Sequence, residues 1–244
     1  HELLISPSIG ISIYPEDGIE PDILLKNADA AMYRAKEHGR NSYKFYTPAM
    51  TDSAHEKVSM ETSIHHAMNN DEFRLYYQPQ YDLRSGRLVG AEALLRWNSQ
   101  LHGEIPPAKF IPIIEESSTI LKLGEMIMHR ACRQSRSWLD QGYNLGRLAI
   151  NISGRQIQQG DFVQKVTAIL DKNGIDGNML DFEITEGFIM RQARTEIESL
   201  NQLRGMGISL SIDDFGTGYS SLSYLKLLPV DTLKIDQSFV RDIG

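Results

Sequence analysis

The sequence predicts an α/β protein whose larger part is a (β/α)8-type barrel, and two observations carry that prediction. From residue 71 onward, short apolar strands alternate with helical patterns. The strands are RLYYQPQY, LVGAEALLRW, LGRLAINIS, MLDFEITE, GISLSIDDFG and TLKIDQSF, with helical stretches such as EIESLNQLRGMG between them. Repeated alternation of this kind belongs to a parallel α/β architecture, either a barrel or a doubly wound sheet. The faces of the strands choose between the two. Phe182 and Ile184 alternate with Asp181, Glu183 and Thr185, and Leu210 and Ile212 with Ser209, Ser211 and Asp213. Leu148, Ile150 and Ile152 alternate with Asn151 and Ser153, and Leu233 and Ile235 with Lys234 and Asp236. A doubly wound sheet is covered by helices on two faces and wants apolar residues on each. A barrel covers only its outside with helices and points small or polar groups inward at the carboxyl ends of its strands. The strands therefore predict a barrel.

Taken in order, residues 5–13 (ISPSIGISI) alternate like a strand, and Tyr14 to Gly18 (YPEDG) is turn chemistry. Pro21 opens a helix whose Leu24, Leu25, Ala28, Ala31, Met32 and Ala35 fall at helical spacing, with Gly39 as its stop. A short strand follows at 42–46 and ends at Pro48. This α/β unit, residues 1–50, is small for an independent core. Residues 51–70 read as a polar linker helix, and residues 71–244 carry the barrel pattern. Within it, residues 106–142 (from PPAKF to WLDQG) read as one long helical stretch.

Composition narrows the function. The 244 residues carry a formal charge of −7, with 41% hydrophobic and 23% charged residues. That describes an ordinary globular chain. It is too acidic for a binder of DNA or RNA polymers, whose affinity comes from Lys and Arg against phosphates. No apolar run reaches the roughly 18–20 residues of a membrane span, so this segment is expected to make no membrane contact. The single cysteine, Cys132, lies in a helical stretch and reads as a packed small hydrophobe, which suits a reducing, cytoplasmic setting. A parent protein could still be anchored through upstream segments.

The inward polar set consists of Glu92, Asn151, Glu183, Asp213 and Lys234, each near the end of a different strand, with Asp214 next in line. In a barrel these positions converge on the top face, where sites of this fold sit. Several carboxylates sharing a small volume repel one another, and a bound divalent cation resolves the conflict. The donors are hard oxygens without His or Cys, which selects Mg2+, Mn2+ or Ca2+ over zinc. The neighbours Asp213 and Asp214 suggest two ions, an arrangement suited to in-line attack on a phosphodiester. A single inward carboxylate is more often half of a salt bridge, and Lys234 with Asp236 fits that plainer reading. Convergence of five polar strand ends does not.

These residues carry a resemblance. YYQP (76–79), GAEALLRW (90–97), AINIS (149–153), FEITE (182–186), DDFGTGYSSLSYLKLLP (213–229) and LKID (233–236) resemble the EAL-domain cyclic di-GMP phosphodiesterases. The resemblance implies that Glu92, Asn151, Glu183 and Asp213 bind a first metal, and that Asp213 and Asp214 bind a second. It implies that Lys234 stands beside the attacking water and that Glu186 steadies the loop holding Asp214 and residues 216–221. Gln78 and Arg96 would touch the guanine and phosphate of the substrate, and Asp236 would be a further site residue. The implied reaction hydrolyses cyclic di-GMP to linear pGpG with Mg2+ or Mn2+. Ca2+, with its looser geometry, would inhibit. A homodimer is a candidate assembly. SIGISIYPEDG and NADAAMYRAKEHGRNSY resemble the closing part of a GGDEF (diguanylate cyclase) domain, with Lys36 and Arg40 matching its phosphate-contacting residues. The GGDEF signature itself is absent, so this unit reads as a structural remnant.

The family pattern continues past TLKIDQSF with two further strand–helix units, one bearing a glutamate for the second metal. The barrel is therefore expected to be truncated after its sixth strand, with its second metal site incomplete. An alternative function follows: a catalytically weak or inactive module that binds cyclic di-GMP.

Overall fold

A computed structural model describes residues 6–37, 41–143, 145–216, 225 and 228–241, leaving out the side chains of residues 37, 52–56 and 190–195. The chain divides into two units, His1–Ile64 and His65–Gly244.

In the first unit, β1 (Ser8–Ile11), α1 (Pro21–Glu37) and β2 (Ser42–Phe45) form a parallel βαβ unit with Ser8 opposite Ser42 and Ile11 opposite Phe45. Strand and helix approach closely at Gly10, where a Cβ would lie 1.9 Å from the Ala28 carbonyl oxygen. Ala31 and Ala35 are fully buried. Asn27 is buried as well, and its Nδ2 donates to the Asp17 carbonyl at 2.7 Å, tying the helix to the preceding turn. Lys36 is exposed. Its expected companion Arg40, and the expected helix stop Gly39, lie outside the described residues. Helix α2 (Pro48–Asn69) starts three residues before the expected linker. Pro48 ends the extended segment and opens the helix in one step, because its missing N–H costs nothing in a first turn.

The second unit holds β3 (Phe73–Tyr81), β4 (Leu88–Ser99), β5 (Gly103–Ile105), α3 (Pro107–Glu116), α4 (Thr119–Asp140), β6 (Arg147–Asn151) and α5 (Gly154–Ile157). It continues with α6 (Phe162–Asn173), β7 (Leu180–Thr185), α7 (Glu186–Gly205), β8 (Ser209–Phe215), β9 (Thr232–Ile235) and α8 (Gln237–Arg241). Its seven-stranded sheet runs β3-β4-β6-β7-β8-β9, with β5 attached to β4. From β4 to β9 the neighbours on this path are parallel.

Three features depart from the expected pattern. Strand β3 is antiparallel to β4, because the link between them is too short for a parallel crossover. Strand β5, absent from the sequence reading, pairs Ile105 with Trp97, and Gly103 at its start takes φ +70°. The expected long helix is two helices. Ser117 is extended at φ −102°, ψ 165°, and its N–H donates to the Ile114 carbonyl while its hydroxyl accepts the Thr119 N–H at 3.2 Å.

The division of strand faces is as expected on β6, β7 and β8, whereas on β9 Leu233 and Ile235 are exposed. Leu148, Ile150, Phe182, Ile184, Leu210 and Ile212 are buried in one core with Phe162, Val166, Leu170, Leu200 and Leu203 from α6 and α7. Burial of each such side chain contributes about 1.5–3 kcal/mol, and it leaves the alternate residues on the opposite face.

A second cluster secures the β3–β4 hairpin. Phe73, Trp97 and Phe110 pack with ring centroids 5.4–5.8 Å apart. The fully buried Trp97 donates its indole N–H to Glu72 Oε2 at 2.9 Å. Glu72→Leu orphans that donor and should destabilise the protein by about 1–3 kcal/mol. Glu72→Gln keeps an acceptor and should cost less. Urea midpoints measure the difference, and a Leu variant as stable as the parent would refute this role for Glu72.

Candidate metal centre

The parallel strands end on one side of the sheet, and period-two alternation brings their polar residues to one face. Ligand oxygens of Glu92 on β4, Glu183 on β7 and Asp213 on β8 all lie within 4.8 Å of one another. Lys234 on β9 reaches into this cluster. Its Nζ lies 3.0 Å from Glu92 Oε2, 2.7 Å from Glu183 Oε2 and 3.3 Å from Asp213 Oδ1. Asn151, at the end of β6, donates through Nδ2 to Glu92 Oε1 at 2.9 Å. The five residues read as inward from the sequence thus meet in one place.

Burial sets the electrostatics. Glu183 is 1% exposed. That burial, followed by the fields of Glu92 and Asp213, pushes its carboxyl up to about 8 against the pull of Lys234. Burial works to lower the Lys234 pKa, but its hydrogen bonds and ion pairs with Glu183 and Glu92 outweigh that and raise it above the ordinary lysine value. The plainer pairing of Lys234 with Asp236 does not form. Asp236 is half-buried and accepts from the Ser238 backbone N–H at 2.9 Å and from the Ser238 hydroxyl. Those bonds hold its carboxyl below the usual range.

The donor chemistry fits a hard divalent cation. Glu183 Oε1 is buried without a hydrogen-bond partner. An orphaned carboxylate oxygen inside a carboxylate cluster is a ready ligand. Asn151 spends its amide N–H on Glu92, and its carbonyl oxygen is a further hard donor.

Asp214 owes its place to a break in the strand. Between the pairs Ile212–Leu233 and Phe215–Ile235 the register shifts, so Asp213 and Asp214 together oppose Lys234. Asp214 takes φ +53°, which Asp tolerates better than most residues. Such a bulge re-aims side chains that strict alternation would send to opposite faces. Burial, then the charges of Asp213, Asp236 and Glu92, raise the Asp214 carboxyl above its usual range. Beyond it, Gly216 donates its N–H to Glu186 Oε2 at 2.7 Å. Glu186 is 1% exposed in the first turn of α7. Residues 217–221 of the expected loop lie outside the described residues.

Gln78 and Arg96 stand on the β3–β4 hairpin. Gln78 is the partner of Glu92, and Arg96 follows Glu92 by four residues. Opposed and alternate positions share a face, so both stand on the face of the carboxylates. Arg96 donates to the Leu95 carbonyl at 2.9 Å, and its guanidinium lies 5.7 Å from the centre of the Tyr76 ring. The sequence reading did not name Tyr76. Its signal was the two-residue offset from Gln78, which becomes meaningful only once the β3–β4 register is known.

Comparison with known proteins bears on this geometry. A family described as "EAL domain" matches residues 61–244, and one described as "Diguanylate cyclase, GGDEF domain" matches residues 1–42. The chain is 42% identical over 244 residues to the bifunctional diguanylate cyclase/cyclic di-GMP phosphodiesterase MucR of Pseudomonas aeruginosa, covering 100% of this chain and 36% of MucR. It is 38% identical over 242 residues to the cyclic di-GMP phosphodiesterase PdeR of Escherichia coli, covering 99% of this chain and 36% of PdeR. It thus spans about a third of the length of these curated relatives. A solved structure described as "PaMucR Phosphodiesterase, c-di-GMP complex" superimposes with a TM-score of 0.72 at 39% identity, covering 76% of this chain and 75% of that one. The match over residues 61–244 and this structural likeness establish that the chain belongs to the EAL domain family.

Proposed function

We propose that this chain belongs to a phosphodiesterase that hydrolyses cyclic di-GMP to linear pGpG with Mg2+ or Mn2+. The convergence of Glu92, Glu183 and Asp213 around Lys234, with Glu183 Oε1 buried and unpartnered, is the observation that carries the reading. The names of MucR and PdeR supply its substrate.

Glu92, Asn151, Glu183 and Asp213 would hold the first cation, and Asp213 with Asp214 part of a second site. When bound, the cations supply an acidified water and neutralise phosphoryl charge. The chain's own residues do the rest. Lys234 projects its ammonium into the carboxylate cluster, where it orients the attacking water and stabilises charge building on the phosphoryl oxygens. Glu186 fixes the backbone at Gly216 and so the direction in which Asp214 points. Gln78 and Arg96 hold the guanine and phosphate, and Asp236 completes the rim. Water adds to phosphorus, the P–O3′ bond breaks, and the freed 3′ oxygen takes a proton.

Ca2+ would occupy the same oxygens with looser geometry and inhibit. Among the described residues no helix is long and apolar enough to cross a membrane. We assign the domain to the cytoplasm, in a parent that could be anchored elsewhere and could pair as a homodimer.

A second reading is favoured by the edges of the sheet. Among the described residues β3 and β9 each end the strand path, and Leu233 and Ile235 on β9 are 42% and 65% exposed. We propose that two further strand–helix units, carrying one more ligand of the second metal, cover this edge and close the barrel. Without them the domain would bind cyclic di-GMP and cut it slowly or not at all.

Production of pGpG from cyclic di-GMP with added Mn2+ separates the two readings, compared between this chain and one extended by those units. We expect turnover by the extended protein and little by this chain; equal turnover would remove the need for the extra ligand. In the extended protein Glu92→Ala should abolish Mn2+-dependent turnover, and unchanged activity would refute its assignment as a ligand.

Lys234→Met gives a separate test. It leaves the carboxylates without their internal cation, so Mn2+ should raise the melting temperature more in the variant than in the parent. Turnover by the extended protein should fall by about 100-fold or more. An equal thermal shift in parent and variant would refute the counter-ion role.

A further inference from the structure

Arg96 lies on the β3–β4 hairpin without a carboxylate partner among the described residues. It makes one hydrogen bond to the Leu95 carbonyl and lies over the Tyr76 ring face, whose centre is 5.7 Å from the guanidinium carbon. A guanidinium with four of its five planar N–H donors unspent is suited to an anionic ligand with paired oxygens. Its long side chain, however, has many rotamers, and ordering it on binding costs affinity. Something must hold it beforehand.

The register identifies what does. Tyr76 opposes Leu94, Gln78 opposes Glu92 and Arg74 opposes Arg96. In an antiparallel pair a residue and its partner's diagonal neighbour lie about 7–8 Å apart, within reach of an aromatic ring and a long side chain. Tyr76 and Arg96 are such a diagonal pair, on the face that carries Glu92. The flanking residue Tyr77 points the other way, its ring 4.8 Å from Trp138 on α4. Tyr77 is thereby committed to packing, whereas Tyr76 is 59% exposed and makes no comparable core contact. An exposed tyrosine on the working face of a sheet is poorly explained by stability.

We infer that Tyr76 is a positioning residue that holds the Arg96 guanidinium against its ring, ready for a ligand phosphate beside the metal centre. The inference rests on the cyclic di-GMP reading of the site and adds a residue to it. The ring face supplies the effect through its quadrupole, so the phenol hydroxyl is dispensable.

The test has a ligand-free arm and a ligand arm. In the free protein, the Arg96 side-chain protons should show an upfield ring-current shift in NMR, kept in Tyr76→Phe and lost in Tyr76→Leu. Absence of that shift in the parent would overturn the inference by itself. Cyclic di-GMP is then titrated in EDTA, where turnover is absent. Tyr76→Leu should weaken binding by about three- to tenfold, and Tyr76→Phe by less than about twofold. In an Arg96→Ala background, Tyr76→Leu should cause no further loss. An equal loss in that background would mean that Tyr76 contacts the ligand itself, which overturns the positioning role. If Arg96→Ala leaves cyclic di-GMP affinity unchanged while the ring-current shift behaves as expected, the ligand reading fails and the inference about phosphate fails with it. Melting temperatures within about 2 °C of the parent exclude misfolding as the cause of any loss.

Discussion

Three carboxylates gathered at strand ends are the constraint on which the rest of this domain depends. Two like charges about 4 Å apart cost on the order of 4 kcal/mol at the effective dielectric of a protein surface. Three such pairs would cost about 12 kcal/mol, as much as the whole stability of a typical domain. The fold meets this with one ammonium. Lys234 lies within 3.3 Å of Glu92, Glu183 and Asp213, and burial suppresses ionisation of Glu183. The same residues that could hold a cation also make the cluster tolerable without one. Because each comes from a different strand, the cluster exists only when β4, β7, β8 and β9 are in register.

The register explains how much of the site was legible beforehand. Glu92, Asn151, Glu183, Asp213 and Lys234 could be read because period-two alternation is local: an apolar residue beside each marks which face the polar one takes. The helical cover could be read for the same reason. What escaped depended on pairing. Strand β5 is three residues long, and its pairing is with Trp97, Asn98 and Ser99. The break between α3 and α4 hides in Ser117 and Ser118, residues compatible with a helix until Ser117 turns its own N–H back to Ile114. The neighbouring aspartates suggested two ions from sequence, but strict alternation would part them, and the bulge that breaks that alternation at Asp214 is visible only in the pairing of β8 with β9. Lys234 and Asp236, on one face of one strand, looked like partners; Ser238 takes Asp236 away by capping it locally.

Reversal of β3 has consequences beyond topology. A parallel first strand would have needed a long crossover and would have put a helix between β3 and β4. The hairpin instead places Gln78 directly opposite Glu92 and Tyr76 opposite Leu94. Antiparallel neighbours interlock side chain by side chain, so the hairpin can offer a rigid wall where the parallel strands offer only their ends. Its outer face is anchored by Phe73, Trp97, Phe110 and the buried Glu72 acceptor, which frees its inner face from structural duty.

The domain therefore divides its work by strand direction. Ends of parallel strands converge, and convergence suits a small, highly charged ligand such as a metal ion. The flank of an antiparallel hairpin is extended, and an extended face suits a larger planar or anionic ligand. Glu92 belongs to both, since β4 pairs antiparallel with β3 on one side and parallel with β6 on the other. A ligand lying along the hairpin with one end at Glu92 would reach the carboxylate cluster. That single strand thus joins the hairpin to the carboxylate cluster, and a shift of β4 by one residue against both neighbours would carry Glu92 and Arg96 together to the opposite face, away from Gln78, Glu183 and Asp213.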